Sequence, residues 1–216
     1  VIGRAMQHEE SHLANPFLCV SVAPKDEAQL PSLVAAAREL SEEDPLLDVH
    51  WEKTEREVRL NITGQIQAEV LQRLFQERYG LQTSFSPPAV IYKETPSRAG
   101  FGFEAYTMPK PCWAVVKLLL EPLPRGSGVE WCPGNVPNDK LFYRYQSQIK
   151  TAFFRALEQG LSGWQVTDLR ATLVDGEHHI VHTHPLDFFV ATPMAVMNGL
   201  QNTGTTLLEP LLLVHI

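Results

Sequence analysis

The sequence contains no long hydrophobic run, only three cysteines and no stretch that resembles a leader peptide. No apolar run approaches the ~20 residues that a bilayer-spanning helix needs. The first ten residues lack the apolar centre of a signal peptide. Cys19, Cys112 and Cys132 are widely spaced and form no CxxC pair, which is typical of reduced thiols in a cytosol. We therefore expect a cytoplasmic protein without a membrane partner.

Motifs for nucleotide binding and nucleophilic catalysis are also missing. Neither GxxxxGKS nor GxxxxGKT occurs, and no GxGxxG follows a strand and opens a helix. The glycine pairs at 100/102 and 126/128 are isolated. No Gly-x-Ser-x-Gly elbow is present, and no cysteine has the context of a nucleophile. We predict no catalytic residue, no cofactor site and no enzymatic activity for this chain alone.

Positive charge is scarce. The chain has 18 Lys and Arg residues against 25 Asp and Glu residues, which gives a net charge of −7. The split after Lys93 gives 9 basic and 14 acidic residues before it and 9 and 11 after it, so the halves carry −5 and −2. Bulk charge therefore excludes a basic nucleic-acid domain, and any RNA contact would be local, through a few loops.

Hydrophobic periodicity divides the first part of the chain into strands and helices. The predicted order is strand, helix, strand, strand, helix, strand, over residues 17–23, 30–40, 47–52, 58–62, 66–75 and 81–85. The second helix is predicted to bury one face: Ile66, Val70, Leu71, Leu74 and Phe75. This order predicts a ferredoxin-like split βαβ domain of the α+β class.

Pro87 and Pro88 mark a predicted domain boundary. A second α+β domain follows, with strands at 90–94, 102–108, 113–120, 164–174 and 207–216 and helices at 145–157 and 186–201. The strand at 164–174 leads into a segment with four of the eight histidines. These are His178, His179, His182 and His184.

The histidine segment admits three interpretations from the residues alone. His178, His182 and His184 could hold zinc together with Asp175 or Glu177, since neutral imidazole is a good zinc ligand. Zinc sites usually draw ligands from several segments, however, so an exposed histidine loop is favoured and no metal ligand is assigned. A stacking contact between the loop and an unpaired RNA base is the third interpretation.

Several segments resemble the C-terminal half of elongation factor G, most closely the tetracycline-resistance ribosomal protection branch of that family. The resemblance is carried by Gln-Gly-Leu-Ser-Gly-Trp-Gln-Val-Thr-Asp at 159–168, Leu-Val-Asp-Gly at 173–176 and Thr-Leu-Leu-Glu-Pro at 206–210. Residues 20–24, 44–47, 88–94 and 123–128 also agree. The likeness runs from Asn15 to Ile216 in order.

The resemblance implies a domain organisation. Residues 1–14 would be a linker, 15–87 the ferredoxin-like third domain, and 88–206 the fourth domain. The fourth domain would have a ribosomal-protein-S5-like fold with a left-handed βαβ crossover, and 207–216 would begin the fifth. GTP and magnesium would be bound only by a preceding domain of the full-length parent, itself a GTPase.

The resemblance also implies a partner, the small-subunit ribosomal RNA at the decoding centre. Three loops of the fourth domain would form one tip there, at 123–129, 159–164 and 177–184. Where the resistance branch typically has Tyr-Tyr-Ser-Pro-Val in the third loop, this chain has His-His-Ile-Val-His at 178–182. The implied contact residues are Pro124, Arg125, Gly126, Ser127, Gly128, Gln159, Leu161, Gly163, Trp164, His178, His179, Ile180, Val181 and His182.

Three functions therefore follow as expectations. The first is release of tetracycline from the ribosome by insertion of the tip. The second is translocation by an elongation factor G or a paralogue. The third, of another class, is a metal-binding or stand-alone RNA-interaction module.

Overall fold

The computed structural model describes residues 16–52, 56–107, 112–184 and 186–212. The chain folds into two compact units, with the division between Ile91 and Tyr92. Both units mix helices with sheets, which confirms the predicted α+β class. Among the described helices, none is both long enough and apolar enough to cross a membrane.

The first unit has one antiparallel sheet and two α-helices. Its elements are β1 (Leu18–Pro24), α1 (Leu30–Glu43), β2 (His50–Glu52), β3 (Glu57–Ile62), α2 (Gln65–Tyr79), β4 (Thr83–Phe85) and β5 (Ala89–Val90). The sheet has the order β2-β3-β1-β4, with β5 also paired to β1. The element order is the one predicted for a split βαβ domain, with β5 in addition. β5 pairs with β1, and the contacts of this unit extend to Ile91.

Apolar side chains of both helices and of β1 and β3 share one core in this unit. The predicted face of α2 is only partly right. Leu71 and Phe75 are buried with Ala68, but Ile66 is 78% exposed and Val70 is 51% exposed. The strand predicted at 47–52 is also shorter and begins at His50. Pro45–Leu47 forms a 3-10 turn instead, in which the Leu46 amide donates a hydrogen bond to the Asp44 carboxylate.

The second unit contains two sheets and two helices. Its elements are β6 (Lys93–Pro96), β7 (Gly100–Tyr106), β8 (Ala114–Pro122), β9 (Val129–Cys132), α3 (Tyr143–Ala156), β10 (Gln165–Val166), β11 (Leu169–His178), α4 (Asp187–Thr203) and β12 (Thr205–Leu208). The larger sheet has the order β7-β8-β11-β9, and the smaller has the order β10-β6-β12. β9 and β11 are parallel, and α3 lies between them in sequence. Both helices contribute to the core beneath the larger sheet.

The predicted strands at 164–174 and 207–216 differ from the observed ones. The strand at 164–174 is two strands in two sheets, because Asp168 turns the chain with a φ of 53°. β11 then continues through Asp175 and Gly176, with a register shift after Leu173, and ends at His178. The last strand is Thr205–Leu208, paired with β6, and the end of its predicted range, 213–216, lies outside the described residues.

α4 approaches β7 closely at two glycines. A Cβ on Gly102 would lie 2.1 Å from the carbonyl oxygen of Ala195 and 3.0 Å from the Cα of Gly199. A Cβ on Gly199 would in turn lie 2.7 Å from a methyl group of Leu120. The helix can therefore rest on the sheet only because both positions lack side chains.

Candidate functional site

The residues predicted to form one tip lie at two opposite ends of the second unit. β8 and β11 are antiparallel, with Leu169 opposite Pro122 at one end of the ladder and His178 opposite Ala114 at the other. The ladder is about 30 Å long at ~3.4 Å per residue. We call the end at Leu169 the proximal end (residues 123–128 and 159–164) and the end at His178 the distal end (residues 112–114, 137–145 and 177–184). The prediction that all three loops share one tip is therefore wrong.

The first proximal loop is held by a buried carboxylate. Asp168 is only 4% exposed, and its oxygens accept hydrogen bonds from the backbone amides of Gly126 at 3.1 Å and Gly128 at 3.0 Å. The Leu123 amide donates to the Asp168 carbonyl at 2.8 Å. Pro124, Arg125, Gly126 and Ser127 are exposed on this loop, and Gly128 is half-buried.

A second buried carboxylate holds the other proximal loop. Glu94 is fully buried in β6, and its Oε1 accepts from the amides of Ser162 at 2.8 Å and Trp164 at 3.1 Å. The ring of Trp164 is half-buried and packs edge-on against Tyr92. Gln159, Leu161 and Gly163 remain exposed. The proximal end is thus fixed by Asp168 and Glu94, neither of which was predicted as a site residue.

The distal loop begins at His179 and is one helical turn. The Thr183 amide donates to the His179 carbonyl at 3.0 Å, and the His179 amide donates to the Thr183 hydroxyl oxygen at 2.8 Å. The amides of Val181 and His182 point at His179 Nδ1, at 3.2 and 3.3 Å. The turn therefore satisfies its own first amides in the manner of a helix N-terminus.

The turn is anchored to the start of β8 and of α4. The Thr183 hydroxyl donates to the Trp113 carbonyl at 2.6 Å. Asp187 Oδ2 accepts from the amides of Trp113 at 3.1 Å and His184 at 2.8 Å. The Trp113 indole donates to Glu177 at 3.2 Å. These bonds fix the base of the turn to the segment before β8 and to the start of α4.

The segment before α3 forms the other side of the distal end. The carbonyl of Lys140 accepts from the His178 amide at 3.2 Å and from its Nδ1 at 2.8 Å. The His178 ring also packs on Phe142 with centroids 4.0 Å apart, and the side chain is half-buried. Arg144 lies over the rings of Phe142 and Tyr145.

Lys140 also forms an ion pair with Asp175, with 2.6 Å between Nζ and Oδ1. The hydrogen bond to Lys140 lowers the pKa of Asp175, and the same bond raises the pKa of Lys140. Both side chains are more than two-fifths exposed, so solvent screening leaves the pair little net effect on stability.

Two of the exposed apolar side chains lie next to each other at the summit of the distal turn. Ile180 is 88% exposed and Val181 is 72% exposed, while the neighbouring His182 ring is also exposed and stacks on His179. Tyr143 is exposed at the start of α3. Among the residues that the structure describes, no three His, Cys, Asp or Glu side chains are arranged to hold a metal ion. The geometry is that of a rigid contact surface.

The distal end is also built from residues that no pattern in the sequence indicated: Trp113, Lys140, Phe142, Arg144 and the buried Asp187. They come from three distant segments that meet only through the β8–β11 register and the packing of His178. No motif spacing connects them. Part of the β7–β8 connection, residues 108–111, lies outside the described ranges.

Comparison with known proteins gives matches along almost the whole chain. Residues 13–87 match the family model described as Elongation Factor G, domain III, and residues 88–204 match Elongation factor G, domain IV. The tetracycline resistance protein TetP of Clostridium perfringens is 38% identical over 202 residues, which are 92% of this chain and 30% of that protein. TetM of Staphylococcus aureus is 33% identical over 207 residues, covering 95% of this chain and 32% of TetM.

The folded backbone is also similar to a solved structure. The crystal structure of ttk003000868 from Thermus thermophilus superposes with a TM-score of 0.61 and 25% sequence identity, over 91% of this chain and 30% of that one. The chain thus spans about 30% of the length of the relatives it matches.

Proposed function

The chain belongs to the elongation factor G family, and from that premise we propose that it supplies the ribosome contact of a tetracycline-resistance protein. The contact is the distal turn, which reaches the small-subunit ribosomal RNA at the decoding centre and promotes release of the drug. The names of the relatives support the choice of the resistance branch. The single observation that supports the choice of the turn is the exposed pair Ile180 and Val181 on a rigid base.

Such a contact depends on the shape of the turn and needs no catalytic residue. The base of the turn is held by bonds to Trp113 and Asp187, which orient its summit toward a partner. Large apolar side chains exposed together on a fixed element are characteristic of a binding surface. A wedge of this kind displaces a neighbouring ligand by occupying or reshaping its site, without a catalytic residue.

Electrostatics give the distal end only modest affinity for RNA. Phosphate contacts need cations, and the chain carries a net charge of −7. At this end Lys140 is paired with Asp175, while the guanidinium of Arg144 lies on aromatic rings. Arg125, the cation expected at the tip from the sequence, lies at the proximal end. Most of the affinity for a ribosome would therefore come from the rest of the protein.

The proximal loops remain candidates for a separate contact. Pro124, Arg125 and Leu161 are exposed there. They cannot touch the same point of a partner as the distal turn, because about 30 Å of sheet separates the two ends. We assign drug release to the distal turn alone. GTP and magnesium would bind in the part of such a protein that corresponds to the uncovered length of the relatives.

Drug susceptibility tests this proposal. We expect the full-length gene that encodes this chain to raise the tetracycline tolerance of a susceptible host, and to do so without replacing the host's own elongation factor G. The measurement is growth over a tetracycline series, with an empty vector as the control. Unchanged tolerance at confirmed expression, together with growth after depletion of the host factor, would establish a translocation factor in its place.

A further inference from the structure

His179 has an unusual set of hydrogen bonds for a histidine. Its ring nitrogen Nδ1 lies 3.2 Å from the Val181 amide and 3.3 Å from the His182 amide. Both amides are donors, so Nδ1 must act as the acceptor and its proton must reside on Nε2. The side chain thus does what Asn, Asp or Ser does at the N-cap of a helix, where it accepts from the second and third amides.

Other contacts hold the ring in this position. The His182 ring stacks on one side of His179 with centroids 4.5 Å apart and an interplanar angle of 25°. The centroids of the Trp113 and His179 rings are 5.6 Å apart. The His179 amide is satisfied by the Thr183 hydroxyl oxygen, and that hydroxyl donates to the Trp113 carbonyl. Two carboxylates are bonded to this assembly through Trp113: Glu177 to its indole, and Asp187 to its amide.

We propose that His179 is a positioning residue, which caps the distal turn through Nδ1 as the neutral tautomer protonated on Nε2 and so fixes Ile180 and Val181 at the summit. The amides that it satisfies are those of Val181 itself and of the next residue. A side chain at 179 that lacks this acceptor leaves both amides without a hydrogen-bond partner, and the turn opens. A side chain at 179 therefore needs an acceptor atom attached directly to Cγ, whatever else it offers.

This requirement predicts an unusual order of substitutions. His179→Asn places an oxygen where Nδ1 stands and keeps the cap, although it removes the ring. His179→Phe keeps a ring between Trp113 and His182 but has no acceptor. Preferences for hydrophobic or aromatic packing alone would favour phenylalanine. Capping favours asparagine, because loss of a cap shifts the equilibrium between the closed and the open turn about fivefold toward the open turn.

The first test needs no ribosome. Nitrogen NMR of the intact chain should show His179 with an unprotonated Nδ1 and a protonated Nε2. The amides of Val181 and His182 should keep their shifts and exchange protection in His179→Asn and lose them in His179→Phe. A protonated Nδ1 in the unsubstituted chain, or equal effects of the two variants, would overturn the proposal.

The second test concerns binding and rests on the proposed function. In the full-length protein, His179→Phe should weaken binding to small ribosomal subunits more than His179→Asn does, by up to about fivefold. If the NMR result is as expected but both variants bind like the unsubstituted protein, the cap stands and the distal turn is not the contact. If His179→Phe leaves the amides of Val181 and His182 unaffected, the capping proposal is wrong, whatever the binding result.

Discussion

Replacement of Ile180 and Val181 together by serine is expected to abolish the tetracycline tolerance that the full-length gene confers. The two side chains are 88% and 72% exposed, so they pack on little and their loss leaves the fold intact. Surface substitutions of this kind change stability by no more than about 0.5 kcal/mol. The turn itself is retained, because its backbone bonds use the amides and not these side chains.

The matched control is Leu161→Ser at the proximal end. Leu161 is also an exposed apolar residue on a rigid loop, at 41% exposure. Its loop is fixed by Glu94 as firmly as the distal turn is fixed by Asp187. Tolerance should survive this change. Loss of tolerance with Leu161→Ser, together with full tolerance in the Ile180→Ser, Val181→Ser double variant, would move the contact to the proximal end.

A large loss of stability is expected from Gly102→Ala. The new Cβ would lie 2.1 Å from the Ala195 carbonyl oxygen, which is a backbone atom of α4 and cannot turn aside as a flexible side chain does. Either α4 must move away from the sheet, or β7 must separate from the sheet. We expect a loss of about 3 kcal/mol or more, at or above the upper end of the usual cost of overpacking.

Hydrogen exchange followed by mass spectrometry locates that effect. Peptides from β7 and α4 should lose protection in Gly102→Ala, while peptides from β1 and β3 of the first unit keep theirs. Ala105→Ser serves as the control, because Ala105 is exposed on the same strand. Protection in β7 and α4 equal to that of the control would show that α4 does not depend on this glycine.

The fold of the first unit was predictable because its strands alternate. Val58, Leu60 and Ile62 fall on one face of β3, and all three are buried. The helix α2 shows the limit of the same reasoning. Ile66 and Val70 are apolar at helical spacing, but the sheet covers the face that contains Ala68, and hydrophobicity alone does not reveal which face meets the sheet.

The candidate site was less predictable, because its geometry depends on strand pairing and on two special backbone positions. Asp175 and Gly176 look like a turn, but β11 continues through them with a register shift. Asp168 looks like part of a strand, but its positive φ separates β10 from β11. The expectation of a single tip came from the resemblance, whereas the β8–β11 register places two of the loops at one end of the sheet and the third at the other.

Photo-cross-linking from the two ends of the second unit tests the central claim most directly. The photoreactive residue p-benzoylphenylalanine would replace Val181 in one full-length variant and Leu161 in another, with both bound to ribosomes before irradiation. We predict cross-links to small-subunit ribosomal RNA at the decoding centre from position 181 and none at that location from position 161. Cross-links at the decoding centre from position 161 and not from 181 would contradict the assignment of the distal turn as the ribosome contact.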